Sequence, residues 1–142
     1  MTQGHTSEMP KMPDSMRLQA CIPADPGRLP LLRSMAAALA IALDFDLDTM
    51  SDMRMAVDEL GSTVVTRARP GSTVTCTFVA VDAVVSVTAV ATLRSDEPVD
   101  RGSFGWMVLT TLASDVTAEI RTVGGEPELT MSLNVQPPRA DR

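Results

Sequence analysis

The stretch of sequence that decides the fold is MRMAVDELGSTVV, residues 53–65. Apolar side chains recur through it every three or four positions, which predicts a helix from about Met50 to Ala68. Thr49 is predicted to cap this helix, and Pro70-Gly71 to end it. The side chains predicted to face the core are Met50, Met53, Val57, Leu60 and Val64.

The segments on either side predict an α+β fold. An earlier helix, from about Arg28 to Leu43, has its own apolar stripe, and the β-branched runs predict strands. The order β-α-α-β-β-α-β-β, with short turns, predicts a mostly antiparallel sheet covered by helices on one face, a two-layer sandwich. The predicted strands are 16–22, 73–80, 84–93, 117–123 and 128–135, and a third helix is predicted over 103–114.

Composition limits the function. The chain of 142 residues has 12 basic and 18 acidic residues, a net charge of −6, which argues against direct binding of nucleic acid. One domain is expected over residues 16–135, between disordered tails at 1–15 and 136–142. We see no signal peptide and no apolar run of membrane-spanning length, so a cytoplasmic protein is expected.

The cysteines and the histidine do not form a metal motif. Cys21 and Cys76 lie far apart in predicted strands, and His5 lies in the polar tail. We expect two buried free thiols, with a redox role as the alternative.

Two polar residues of the central helix share one face. Glu59 precedes Thr63 by four positions, a spacing that suits a water or metal ion held beside a phosphate. On the pattern alone, a solvated surface carboxylate is the more common explanation.

Residues 53–65 resemble the N-box of the GHKL ATPases (the Bergerat, or histidine-kinase-like, fold), (I/L)-x-x-A-V-x-E-x-x-x-N-x-x-x-H. The resemblance covers about residues 16–135 and is strongest to anti-sigma kinases of the RsbW and SpoIIAB type, in particular actinobacterial anti-sigma-F factors. It implies that Glu59 is the catalytic residue for phosphoryl transfer from Mg-ATP. The metal-binding Asn of the family falls on Thr63, and its His falls on Arg67.

The other nucleotide motifs of the family are degenerate here. Ala91 stands where the family has the Asp that recognises adenine, and Leu93 stands at a Gly position. In the Gly-rich phosphate cradle, Ser103 replaces the first Gly while Gly105 is kept, and the ATP lid is reduced to residues 94–101. The resemblance therefore implies weak binding of ATP and Mg through Glu59, Thr63, Ser103 and Gly105, with slow or absent kinase activity.

The resemblance also assigns partners. Arg33, off the apolar stripe of the first helix, matches a family contact for the sigma factor and for the anti-anti-sigma factor. The expected function is that of an anti-sigma factor in transcription regulation and stress response. It would be a homodimer that sequesters a sigma factor and is released by an anti-anti-sigma protein.

Three alternatives remain open. The first is an active serine/threonine-protein kinase that phosphorylates the anti-anti-sigma factor. The second is a fragment of a histidine kinase, which would need a dimerisation helix with a phosphorylatable His. The third is an interaction module with no sigma partner.

Overall fold

The computed structural model describes residues 15–138, and the predicted element order is confirmed. Most of the two predicted tails lies outside the described residues. Ser15, the last residue of the predicted N-terminal tail, already belongs to the first strand. Residues 136–138 of the predicted C-terminal tail lack regular secondary structure. A single 3-10 turn, Pro26–Arg28, leads into the first helix. The elements are β1 (Ser15–Pro23), α1 (Leu29–Ala42), α2 (Leu47–Arg67), β2 (Thr73–Val81), β3 (Val84–Thr92), α3 (Phe104–Leu112), β4 (Ser114–Val123) and β5 (Glu126–Val135).

The five strands form one sheet in the order β1-β2-β3-β5-β4, and every neighbouring pair is antiparallel. The β2–β3 hairpin turns at Asp82 and Ala83, both with positive φ, as a two-residue turn between twisted strands requires. One row of residues opposite one another crosses all five strands and consists of Gln19, Thr77, Thr88, Ser132 and Thr117.

The helices cover one face of the sheet. Alternate strand residues point towards them, so β2 and β3 bury Val74, Phe78 and Val87 completely. The apolar stripes predicted for α1 and α2 face this core: most of their members are buried, and Leu43 and Met50 pack against it half-buried. The two-layer α+β sandwich is therefore confirmed. Within residues 15–138, no helix is long and apolar enough to cross a membrane.

The predicted start of α2 is wrong by three residues. The helix begins at Leu47 after Asp46, and Thr49 lies inside the first turn with only 4% of its surface exposed. The Thr49 hydroxyl donates a hydrogen bond to the Asp46 carboxylate, and this bond is the main cause that lowers the pKa of Asp46 below its ordinary value. This hydrogen bond joins the residue before the helix to the first helical turn.

The expectation of two buried thiols is wrong for Cys21. Cys21 is exposed on the sheet face that points away from the helices, where its sulfur lies 3.5 Å from Thr75 Oγ1. Cys76 points into the core, and burial raises the pKa of its thiol to about 12. The two side chains lie on opposite faces of neighbouring strands, because Cys21 pairs with Thr75 and not with Cys76.

Candidate functional site

Glu59 is half-buried and faces the start of α3. A Cβ built on Gly105 would lie 2.4 Å from Glu59 Oε2 and 3.2 Å from its Cδ, so the carboxylate packs directly against the glycine. Thr63, one turn further along α2, donates a hydrogen bond of 3.5 Å to the same oxygen. The structure thus brings together three of the four predicted nucleotide residues, Glu59, Thr63 and Gly105.

The fourth residue, Ser103, caps α3. Its hydroxyl accepts a hydrogen bond of 3.1 Å from the backbone N–H of Trp106, and it directly precedes the first helical residue. Gly105 lies in the first turn, where unpaired N–H groups and the helix dipole favour a negative charge. The Glu59 carboxylate lies beside this turn, next to the position at which the resemblance implies a phosphate.

The adenine side of the expected pocket has no polar replacement. Ala91 and Leu93 are 3% and 1% exposed and belong to the hydrophobic core, so neither can accept a hydrogen bond from an adenine amino group. Within the described residues, no group of three or more His, Cys, Asp or Glu side chains could hold a metal ion. A carboxylate beside the start of α3 agrees with the catalytic position that the resemblance implies for Glu59, whereas Ala91 and Leu93 replace the hydrogen-bond acceptor expected for adenine.

The short loop that replaces the ATP lid is held at both ends. Arg67 donates a hydrogen bond to the backbone carbonyl of Glu97. Arg101 donates a hydrogen bond of 2.8 Å to the carbonyl of Ala118 and lies 5.0 Å from the centre of the Trp106 ring. An open pocket of about 410 Å³ lies between this loop and β4, and none of the predicted nucleotide residues lines it.

The outward side of α1 is unusually apolar for a surface helix. Arg33 is the one charged residue among its 14 residues. Leu31 and Ile41, which point away from the core, are 54% and 65% exposed. Surface helices usually carry charged residues on the solvent side, so this face is typical of a protein-binding surface. We call the exposed side chains of α1 around Arg33 the α1 surface.

Arg33 is held by a residue that the sequence analysis did not single out. Arg33 Nη1 lies 2.5 Å from Asp58 Oδ1, and both side chains remain partly exposed, at 38% and 44%. The two residues are 25 positions apart, so no local pattern predicts their pairing. The apolar character of the α1 surface, in contrast, is visible in the sequence as a helix with one charge.

Comparison with known proteins finds relatives among curated proteins. No protein-family model matches the chain. Two curated proteins from Mycobacterium tuberculosis, from strains CDC 1551 / Oshkosh and ATCC 25618 / H37Rv, are both named anti-sigma-F factor RsbW. Each is 38% identical to this chain over 88 residues, which cover 62% of the chain and 52% of the relative.

The chain thus spans about half the length of the curated relatives it matches. The predicted family resemblance is supported independently by this identity and by the α+β sandwich with its antiparallel sheet. Over these 88 residues, the chain is similar to proteins named anti-sigma-F factor RsbW.

Proposed function

We propose that this chain is an anti-sigma factor that binds and sequesters an alternative sigma factor of RNA polymerase in the cytoplasm. The observation that carries the proposal is the α1 surface, an exposed apolar helix face with Arg33 as its one charge. The similarity to proteins named anti-sigma-F factor supports a sigma factor as the partner.

The chemistry of the α1 surface fits a partner with apolar side chains and a carboxylate. Leu31 and Ile41 would lose their exposed apolar area on binding, which is the main favourable term in protein association. The Arg33 guanidinium can exchange Asp58 for a carboxylate of the partner, since arginine pairs with carboxylates through two parallel hydrogen bonds.

Binding of purified alternative sigma factors from the source organism tests this proposal. Leu31→Glu and Arg33→Ala should each weaken binding at least about tenfold, as expected for residues at the centre of an interface. Val123→Glu is the matched control, because Val123 is 48% exposed in β4, far from α1 in the fold. Undiminished binding by both α1 variants would exclude this surface.

Release by an anti-anti-sigma factor is proposed as competition for the same surface. An anti-anti-sigma protein should displace the sigma factor, and Arg33→Ala should weaken both complexes. Simultaneous binding of both proteins to one chain would argue against competition.

A homodimer is proposed through the face of the sheet that the helices leave uncovered. Its central row, Gln19, Thr77, Thr88, Ser132 and Thr117, carries no charge. Sheet faces can stack against a second copy, and this uncharged row would lie at the centre of the contact. Thr88→Arg should convert a dimer into a monomer in analytical ultracentrifugation, whereas Thr110→Arg, on the exposed side of α3, should not.

The kinase alternative makes a different prediction for nucleotide. Since Ala91 and Leu93 offer no side-chain acceptor for the adenine amino group, we propose weak ATP binding with little selectivity for adenine and slow or absent phosphotransfer. Calorimetric titration with ATP and GTP measures both properties. Sub-micromolar ATP binding with strong preference over GTP, or phosphorylation of an anti-anti-sigma factor that Glu59→Ala abolishes, would favour the kinase.

A further inference from the structure

A second apolar region lies on the outer side of the helices, beside the α1 surface. A groove of about 240 Å³ runs between the first half of α2 and α3, and we call it the α2–α3 groove. Phe104, Met107 and Met55 in this groove are 76%, 56% and 52% exposed. Isolated exposed apolar residues are ordinary, but a contiguous group in a groove marks a binding site. The groove is lined by Met55, Phe104, Met107, Val108, Thr111 and Leu112.

The α2–α3 groove is continuous with the α1 surface. A shallow depression next to it is lined by Met55, Arg54 and Arg33, together with Ser51 and Asp58. The next depression shares Arg33 and Arg54 and reaches α1 residues. A single partner can therefore contact α1, α2 and α3, with Arg33, Arg54 and Asp58 lying between the two apolar regions.

Arg54 provides the charge that defines the partner. It is exposed between the two apolar regions, and it forms no salt bridge or side-chain hydrogen bond with another described residue. Arg33, its neighbour in the same depressions, is already paired with Asp58. Asp58, which lines the same depression, is paired with Arg33, so the exposed guanidinium of Arg54 can attract a carboxylate of the partner at this point of the surface.

We propose that the α2–α3 groove and Arg54 bind an amphipathic helix of the sigma factor that carries bulky apolar side chains on one face and an acidic residue at its edge. Helices of this kind bind grooves through side chains spaced three and four positions apart. The two methionines suit the role because their flexible side chains adapt to the shape of the partner. The inference rests on the proposed anti-sigma function and adds a second contact region to the α1 surface.

Isothermal titration calorimetry of the full chain with the sigma factor tests the proposal. Phe104→Ala and Arg54→Glu should each weaken binding about 10- to 100-fold. Val123→Ala and Arg94→Glu are the matched controls, since both residues are exposed and lie outside the groove. Unchanged thermal unfolding of the variants shows that the exposed substitutions leave the fold intact.

Each result decides the proposal. Weaker binding by both groove variants, with unaffected controls, supports it. If the groove variants bind like the wild type while Leu31→Glu does not, the groove proposal is overturned and the anti-sigma function stands. If no sigma factor binds the wild type, both fail. If Phe104→Ala instead dissociates a dimer of this chain, the groove binds a second copy and the proposal is overturned.

Discussion

The contact between Glu59 and Gly105 can be measured by a double-mutant cycle. Gly105→Ala introduces a Cβ 2.4 Å from the present position of Glu59 Oε2, so the carboxylate must move away from the start of α3. That movement loses a charge–dipole interaction of about 0.3–1 kcal/mol. Alanine in a helix is better than glycine by roughly 0.5–1 kcal/mol, so the two effects nearly cancel and the single variant should change stability little.

The result changes when the carboxylate is removed first. In a Glu59→Ala background, Gly105→Ala should stabilise the protein by roughly 0.5–1 kcal/mol, because nothing then opposes the better helix former. The coupling energy between the two positions should therefore equal the lost charge–dipole interaction, about 0.3–1 kcal/mol. A Glu119→Ala background is the control, since Glu119 is exposed on β4 and should give no coupling.

Urea unfolding of the four proteins provides the free energies. Trp106, the single tryptophan of the chain, directly follows Gly105, so its fluorescence reports on this region while circular dichroism reports on the whole fold. A coupling energy below about 0.3 kcal/mol would mean that the two sites are independent, and would refute the packed carboxylate.

Four further predictions concern single side chains. Thr49→Val should lower the free energy of unfolding at neutral pH. Because the hydrogen bond from Thr49 lowers the pKa of Asp46, the difference between the two proteins should decline as the pH falls below 3.8. Acid unfolding curves of the wild type and the variant should therefore converge there. Burial raises the pKa of Cys76 from 9.0 to about 12, so the unfolded chain loses the thiol proton at a lower pH than the folded protein does. The free energy of unfolding should therefore fall as the pH rises above 9.0, and Cys76→Ala should remove this pH dependence. At pH 8, iodoacetamide should modify Cys21 and spare Cys76 in the folded monomeric Thr88→Arg variant, as mass spectrometry can show, and dimerisation through the uncovered sheet face should slow the reaction at Cys21. Asp58→Ala should tighten sigma binding about two- to fivefold, because Arg33 then has no intramolecular carboxylate to leave before it pairs with the sigma factor. Weaker binding by this variant would contradict the proposed exchange.

Periodic features of the sequence predicted most of the fold. The apolar repeats of α1 and α2 and the alternation in β2 and β3 reflect burial against one core, which is why their order and faces are confirmed. The ends of elements were harder to predict. β4 begins at Ser114, before the predicted 117, because an irregularity in the β4–β5 pairing, with Asp115 at positive φ, interrupts the strand pattern.

Contacts between distant segments account for the features of the fold and the site that the sequence did not predict. The strand pattern of β1 alternates weakly, so the sequence does not reveal that Cys21 lies on the uncovered face. The grouping of Glu59, Thr63 and Gly105 followed from the family motif, whereas the direct packing of the carboxylate on the glycine is a tertiary contact. The pairing of Arg33 with Asp58 likewise has no local signature.

The central claim is that the helical surface binds a sigma factor and that this binding does not need Mg-ATP. Calorimetric titration of the source organism's alternative sigma factors into the wild-type chain, first in nucleotide-free buffer with EDTA and then with Mg-ATP, tests it most directly. We expect one sigma factor to bind in both buffers with the same Kd. Binding that appears only with Mg-ATP, or no binding in either buffer, would contradict it.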